Sequence, residues 1–436
     1  DMGGDSLKAM RMVSAVYRTF NVDISLKDFF AAPTVRQLAC LIAAAKTEQK
    51  HTILPAQEAS DYPLSHSQKR LWLMDQMHID SVAYNLPETL LIKGDINIPA
   101  FQDALQLLVD RHESLRTCFI EQNGEPRQII KDICVKLPVI DLSLFADSEA
   151  QAQNLAHDDV RQAFHLQTAP LFRASLLKLA PQRHVLLFNI HHIISDGWSL
   201  GVLTREWLSI YQAKCIGLTL SLAPLGIQYK DYAVWQNQYL ESMDAAKHRQ
   251  YWLAQLSGEL PVLNMPTDYP RLAVQTFRGS TLHFKLPGFV LQQFKVQLNT
   301  SRVSLFAGLC TVVKVLLYRY TGQQDLILGT PVAGRGHADL ENQIGFYVNT
   351  LALRDTLDPD LSFVDLLTQV SANTIAAFDH QIYPFDMLLD DLTLQRDMSR
   401  SPVFDVMLAL QSNETGVTAI DGLNIEAFTQ QNHWDI

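Results

Sequence analysis

Cysteine is scarce in this 436-residue chain: Cys40, Cys118, Cys134, Cys215 and Cys310 stand far apart, odd in number and without a Cys-x-x-Cys pair. That spacing argues against a disulfide framework and a thiolate zinc site, and predicts a reducing, cytoplasmic setting with no bound metal. Charge is also sparse, 19% of residues with a formal net of -11, and no run of Lys and Arg is long enough to track phosphates, so nucleic acid is excluded as a main partner. No apolar run approaches the ~20 residues that cross a bilayer. The opening Asp1-Met2-Gly3-Gly4 lacks both an initiator Met at position 1 and a charged-then-apolar leader, which reads as a piece of a longer chain with no membrane partner. A short-period repeat is missing too. What remains, 47% hydrophobic residues, is enough for two or three packed domains.

Residues 1–45 read as a small all-α unit, because Leu7, Met10, Ser14, Tyr17 and Phe20 recur at three- and four-residue steps. Pro33-Thr34 opens a second helix, with Thr34 as its N-cap, that continues through Leu38, Leu41 and Ile42. Two such helices cannot make a core alone, so the unit either begins upstream or leans on its neighbour. Residues 46–60, KTEQKHTILPAQEAS, lack a period and are expected to be a linker. From there helical patterns at Ile98–Arg111 and Trp198–Tyr211 alternate with strand-like runs at Val185–Ile190 and Asp325–Gly329, which predicts a mixed α/β architecture. The Gly- and Pro-containing stretch Ser257–Pro270 is the expected division, giving lobes 61–257 and 258–436.

The chemistry concentrates in Arg183–Leu203, RHVLLFNIHHIISDGWSLGVL. A buried strand would run into His191-His192, then a short loop with Asp196-Gly197, then a helix whose buried face carries Leu200, Leu203, Trp207 and Ile210. A strand end feeding a helix is a rigid platform for an imidazole able to share a proton near neutral pH. Asp196, just before a glycine that would let the chain turn, is placed to be an anchor. Alone, a His-His pair is more often two ordinary histidines, or half a metal site, than a catalytic centre, and no third ligand at metal spacing lies nearby.

The spacing His191-His192-x-x-x-Asp196-Gly197 resembles the HHxxxDG signature of the condensation domains of nonribosomal peptide synthetases. Further family-like segments follow in order: Ser65–Trp72 (SHSQKRLW), Arg111–Thr117 (RHESLRT), Tyr229–Trp235 (YKDYAVW), Ile344–Thr350 (IGFYVNT), His380–Asp386 (HQIYPFD) and Arg396–Phe404 (RDMSRSPVF). Gly3-Gly4-Asp5-Ser6-Leu7 independently resembles the carrier-protein motif. The resemblance implies two chloramphenicol-acetyltransferase-like lobes in a V with a tunnel between them, preceded by part of a carrier bundle. It further implies 4'-phosphopantetheine covalently held on Ser6, at a helix start where free N–H groups favour phosphate.

By the same resemblance, His192 and its neighbours His191, Asp196 and Gly197 form the catalytic signature, Arg335 pairs with Asp196 from the other lobe, and Asn349 lines the tunnel. Arg111 and Arg116 resemble family arginines that support the site, whereas Trp198 reads as packing. Implied partners are donor and acceptor carriers bearing aminoacyl or peptidyl thioesters, a phosphopantetheinyl transferase and an adjacent adenylation domain. Epimerisation domains share the signature, but AGRGH at 333–337 lacks their leading Glu, and His191 speaks against cyclisation domains, which have Asp there. HHIISDGWS with Ala83-Tyr84-Asn85-Leu86-Pro87 resembles the class that takes an L-configured donor. A docking module without catalysis would show a degenerate signature, and a free-standing coenzyme A acyltransferase would not need Ser6. The family continues past the segment that ends at Ile436, so the second lobe is expected to be incomplete.

Overall fold

The computed structural model describes residues 34–45, 52–77, 81–218, 222–276, 279–394, 397–411 and 422–428, with scattered positions from 12 to 32. Ser6 and its motif lie outside the described residues, as do the closing residues 429–436. The helices are α1 (Val35–Ala44), α2 (His66–Met77), α3 (Ile98–Arg111), α4 (Ser148–Val160), α5 (Gly197–Cys215), α6 (Tyr229–Leu240), α7 (Met243–Gln255), α8 (Gly288–Ser301), α9 (Leu305–Thr321), α10 (Phe363–Asp379) and α11 (Phe385–Asp391). The strands are β1 (Tyr62–Pro63), β2 (Asn85–Lys93), β3 (Thr117–Gln122), β4 (Glu125–Ile130), β5 (Val139–Asp141), β6 (Phe172–Ala180), β7 (Arg183–His191), β8 (Asp325–Val332), β9 (Asn349–Thr356) and β10 (Asn424–Ala427).

The first lobe is built on a five-stranded sheet of order β10-β2-β7-β6-β5. Central β7 is antiparallel to β2 from Asn85↔His191 to Lys93↔Arg183, and antiparallel to β6 on its other side. One face of the sheet is covered by α3 and α5, where Phe101, Leu105, Leu108, Trp207 and Tyr211 are buried and the Phe101 and Trp207 rings stack at 4.6 Å. On the other face Ala152 and Ala156 of α4 pack with Leu177 and Leu187. A strand covered on both sides has no use for alternation, which is why β7 reads as a continuous apolar run with every residue from His184 to His191 buried. Its one interior amide, Asn189, donates from Nδ2 to Asp159 Oδ2 at 3.0 Å. A small sheet of order β1-β4-β3 lies beside it.

In the second lobe β8 and β9 pair antiparallel, and Phe306, Leu328, Leu353, Val370 and Phe378 from these strands and from α9 and α10 form the core. Lys314 of α9 and Asp355 of β9 form an ion pair inside it, and Asn373 donates to the same carboxylate at 2.6 Å. In the leading unit, Thr34 caps α1 by accepting from Gln37 N–H, and Leu38 buries with Val16, Val22 and Ile24. Val13 packs into the second-lobe core, so this unit does lean on its neighbour.

Three expectations about organisation change. Within the expected linker 46–60, Ile53 is buried among Ile227, Tyr229 and Tyr232, and Ala56 N–H donates to Asp231 Oδ1 at 2.8 Å, so these two residues are fastened at the start of α6. The cores divide before residue 257, because Trp252 and Leu256 bury in the second. Residues 422–428 return to the first lobe: β10 adds to the free edge of β2, and Leu423 and Ile425 join the first core. At that junction Gly94 has φ +126°, and a Cβ there would lie 2.0 Å from Gly422 O. Among the described residues no single helix is long and apolar enough to cross a membrane.

Candidate active site

The chain leaves β7 at His191 and makes one 3-10 turn, His192–Ile194, before α5. His192 N–H is tied to Tyr84 O at 2.8 Å, and Gln68 Nε2 donates to Ile193 O at 3.2 Å, so the turn is fixed from β2's approach and from α2. His192 Nδ1 lies 2.8 Å from Ser195 O. A carbonyl only accepts, so the proton sits on Nδ1 and Nε2 presents a lone pair. Nε2 has no hydrogen-bond partner among the described residues, and the half-buried ring meets the edge of Phe346, with centroids 4.7 Å apart at 64°.

The signature residues around it do different work. His191 is 2% exposed, its Nδ1 accepts from Ile193 N–H at 3.1 Å, and burial, helped by neighbouring His192, pushes its pKa down to about 3. His191, expected in the catalytic signature, is walled in and holds the turn through its bond from Ile193 N–H. Asp196 caps α5 by accepting from Ser199 N–H at 2.7 Å, and its Oδ2 accepts from Tyr347 N–H at 3.1 Å. Arg335 Nη2 reaches Asp196 Oδ1 at 3.1 Å, with the two side chains 2% and 0% exposed. The same guanidinium donates to Leu340 O, to Gln343 O at 2.8 Å and to Ser199 Oγ at 2.7 Å, and lies 4.2 Å from the Tyr347 ring centroid. Asp196 and Arg335 thus neutralise one another where the lobes join, both buried from solvent.

Gly197 corrects an expectation: it starts α5 without a positive φ, and a Cβ on it would meet nothing within 4 Å. The turn does not require glycine; its absent side chain leaves space beside the helix start. Asn349 is likewise not a free tunnel group. Its Nδ2 donates to Gln381 O (2.8 Å) and Tyr383 O (2.7 Å) and its Oδ1 accepts from Phe385 N–H (3.0 Å), which staples the loop before α11 onto β9. Arg111 pairs with Glu206 at 3.0 Å, and Arg116 donates to Asp132 at 3.1 Å; both are spent inside the first lobe. Trp198 Nε1 donates to Glu341 O at 2.8 Å, a packing role that also spans the lobes. Sequence reasoning missed Ser199 and Tyr229. Ser199 Oγ donates to Gly345 O at 2.8 Å, and Tyr229 Oη donates to Phe346 O at 2.6 Å while touching Ser65 Oγ at 2.7 Å. The available signal was position: Ser199 stands three residues after the N-cap Asp196, and Tyr229 opens one of the family-like segments.

The Condensation domain family model matches residues 58–434, the span that holds this histidine, its strand and the interlobe ion pair. The chain belongs to the condensation-domain family. Condensation domains form peptide bonds in nonribosomal peptide synthetases, and the chain is similar to two of these. It is 41% identical over 433 residues to tyrocidine synthase 3 of Brevibacillus parabrevis, covering 99% of this chain and 6% of that protein, and 38% identical over 437 residues to gramicidin S synthase 2 of Aneurinibacillus migulanus, covering 100% and 10%. It therefore spans a small part of the length of these relatives. Among solved structures, the X-domain from teicoplanin biosynthesis superposes with a TM-score of 0.77 at 25% identity, covering 86% of this chain and 84% of that one. The starter condensation domain of rhizomide synthetase, in complex with C8-CoA and Leu-SNAC, gives 0.71 at 28% identity, covering 84% and 81%.

A phosphopantetheine attachment site model matches residues 1–42, which implies a covalent 4'-phosphopantetheine. Within Gly3–Leu7 the Ser6 hydroxyl is the side chain whose chemistry fits a phosphodiester, so the sequence of the motif suits the group. The condensation domain of this chain accordingly follows a carrier segment.

Proposed function

We propose that the condensation domain transfers a donor acyl group, carried as a thioester on the arm of Ser6, to the amine of an aminoacyl thioester on a second carrier. When bound, the arm supplies the thiol that carries the acyl group. The observation that carries the reading is the state of His192: proton on Nδ1, lone pair on Nε2, and no protein partner for that lone pair among the described residues. As the amine nitrogen bonds to the donor carbonyl carbon, the carbon–sulfur bond breaks; Nε2 accepts the proton the amine gives up and returns it to the departing thiolate, leaving an amide and a thiol. Holding the two reactants in attack geometry is worth ~7 kcal/mol or more, and a positioned base adds about 10²- to 10⁴-fold. Asp196 and Arg335 act here as positioning residues through α5 and the turn, and Gly197 keeps the helix start clear.

The same reading assigns an L-configured donor, a phosphopantetheinyl transferase to modify Ser6, an adenylation domain to load the carriers, and a cytoplasmic setting. Its units are the carrier segment 1–45, a connector 46–60 whose Ile53 and Ala56 contact the start of α6, and the two lobes, with the boundary moved before α7 and β10 given to the first lobe.

The test begins with mass spectrometry of Ser6 after treatment with a phosphopantetheinyl transferase and coenzyme A. Single-turnover transfer is then followed from an L- or D-aminoacyl donor on Ser6 to a soluble aminoacyl thioester. His192→Ala is expected to slow transfer by about 10²- to 10⁴-fold, with the L-donor preferred. A loss under about tenfold would reassign His192 to positioning alone, and an unmodified Ser6 would remove the carrier from the reading.

A further inference from the structure

The connection between β8 and β9 leaves the second lobe and ends inside the first. Five consecutive residues there have a backbone atom held by a side chain from residues 67–229. Ser114 Oγ donates to Ile344 O (2.6 Å), Ser199 Oγ to Gly345 O (2.8 Å) and Tyr229 Oη to Phe346 O (2.6 Å). Tyr347 N–H donates to Asp196 Oδ2 (3.1 Å), and Ser67 Oγ donates to Val348 O (3.3 Å). Gly345 also accepts no side chain, since a Cβ would lie 2.0 Å from Tyr229 Cδ2. A loop pinned at every residue holds its side chains to one placement.

Gln343, Ile344, Gly345 and Tyr347 are buried; Phe346 alone in this run is half-buried, and its ring stands against His192. We propose that Phe346 is a further positioning residue of the reaction, a wall supplied by the β8–β9 connection that fixes the tilt and tautomer of His192. This rests on the reading of His192 as the group that takes the amine's proton. One hydrogen bond, Nδ1 to Ser195 O, leaves the imidazole free to tilt about that axis; an edge-to-face phenyl removes that freedom. With the ring held in that tilt, Nδ1–H keeps Ser195 O as its acceptor and the lone pair stays on Nε2. The site is complete only when the β8–β9 connection is seated, because Phe346 arrives on that connection and packs, with Ile344, against the first core beside Ile193.

The experiment uses the full chain with ¹⁵N-labelled histidine, the His192→Ala spectrum identifying the His192 resonances. Wild type is expected to show the Nδ1–H tautomer alone, Phe346→Ala a mixture of both, and Phe346→Tyr the wild-type pattern. In single-turnover transfer from an aminoacylated Ser6 to the N-acetylcysteamine thioester of leucine, Phe346→Ala should lower the maximal rate about 10- to 100-fold. The apparent KM should stay within about threefold, and Phe346→Tyr should restore most of the rate. An unchanged tautomer in Phe346→Ala overturns the proposal, as does a rate loss that Phe346→Tyr fails to rescue. If wild type transfers nothing, the functional reading fails while the tautomer measurement still decides this one.

Discussion

The two lobes meet along two seams of opposite character. At the first, beneath His192, Asp196 and Arg335 pair with 0% and 2% of their side chains exposed, and a pinned loop fills the space. At the second, α2 faces α11: His66 Nδ1 lies 3.3 Å from Asp386 Oδ2 with the side chains 19% and 24% exposed, and the Arg70 guanidinium sits 5.8 Å from the Phe385 ring centroid. The difference lies in what separation leaves behind. Parting the dry seam breaks a buried ion pair and several buried backbone contacts together, whereas the half-exposed contacts of the other seam, the wet one, already exchange with solvent. The turn that carries His192 is attached to the buried seam.

The sharpest way to break this comparison is Asp196→Ala, which leaves Arg335 buried without its counter-charge. A loss of ~3 to 5 kcal/mol is expected in chemical denaturation, ahead of any separate effect on transfer. A loss under ~1 kcal/mol would mean that water reaches this seam after all.

Acid should attack the same region. Burial holds His191 at about 3, below the 6.5 of an unfolded imidazole, so as pH falls the unfolded chain takes up the proton first. The stability of the neutral, buried ring is intact above about pH 6.5 and is lost as pH falls through that value towards 3; at pH 5 this comes to about 2 kcal/mol. His248, held near 4 by burial and by His380, works in the same direction from the second lobe. Denaturation midpoints at pH 7.5 and 5 should separate the two: in His191→Asn, which keeps an acceptor for Ile193 N–H but does not titrate, the acid loss should shrink by about 2 kcal/mol. An equal acid loss in both proteins would show that His191 is not shielded.

What was legible in the sequence was whatever depends on local pattern. β7 was visible because a strand covered on both faces is apolar throughout, α3 because its period is clean, and the Thr34 cap because Ser/Thr before an apolar period has one common use. The Asp196–Arg335 pair, implied by family resemblance, is present in the fold. Pattern could not show that β10 crosses back to β2, that Ile53 is a core residue in a polar stretch, or that Asn349 spends its amide on the backbone of another segment. Each of these is a contact between residues far apart in the chain, set by tertiary packing. Ser199 and Tyr229 were missed for the same reason, since a hydroxyl that fastens a distant carbonyl leaves no local period.

The smallest expected effect falls at the wet seam. Asp386→Asn removes the carboxylate but keeps an amide of the same shape, and each group it faces can turn to water. Exposed or half-exposed pairs of this kind contribute ~0 to 1 kcal/mol, so its denaturation midpoint should differ little from wild type, with any difference fading as salt is raised. The informative readout is motion: with a spectroscopic label on α2 and another on α11, Asp386→Asn should broaden the interlobe distance distribution, whereas the separation of α5 from the 344–348 loop should stay unchanged. If instead both distances loosened together, the dry seam would not be an independent hold, and His192 would be carried by the whole interface.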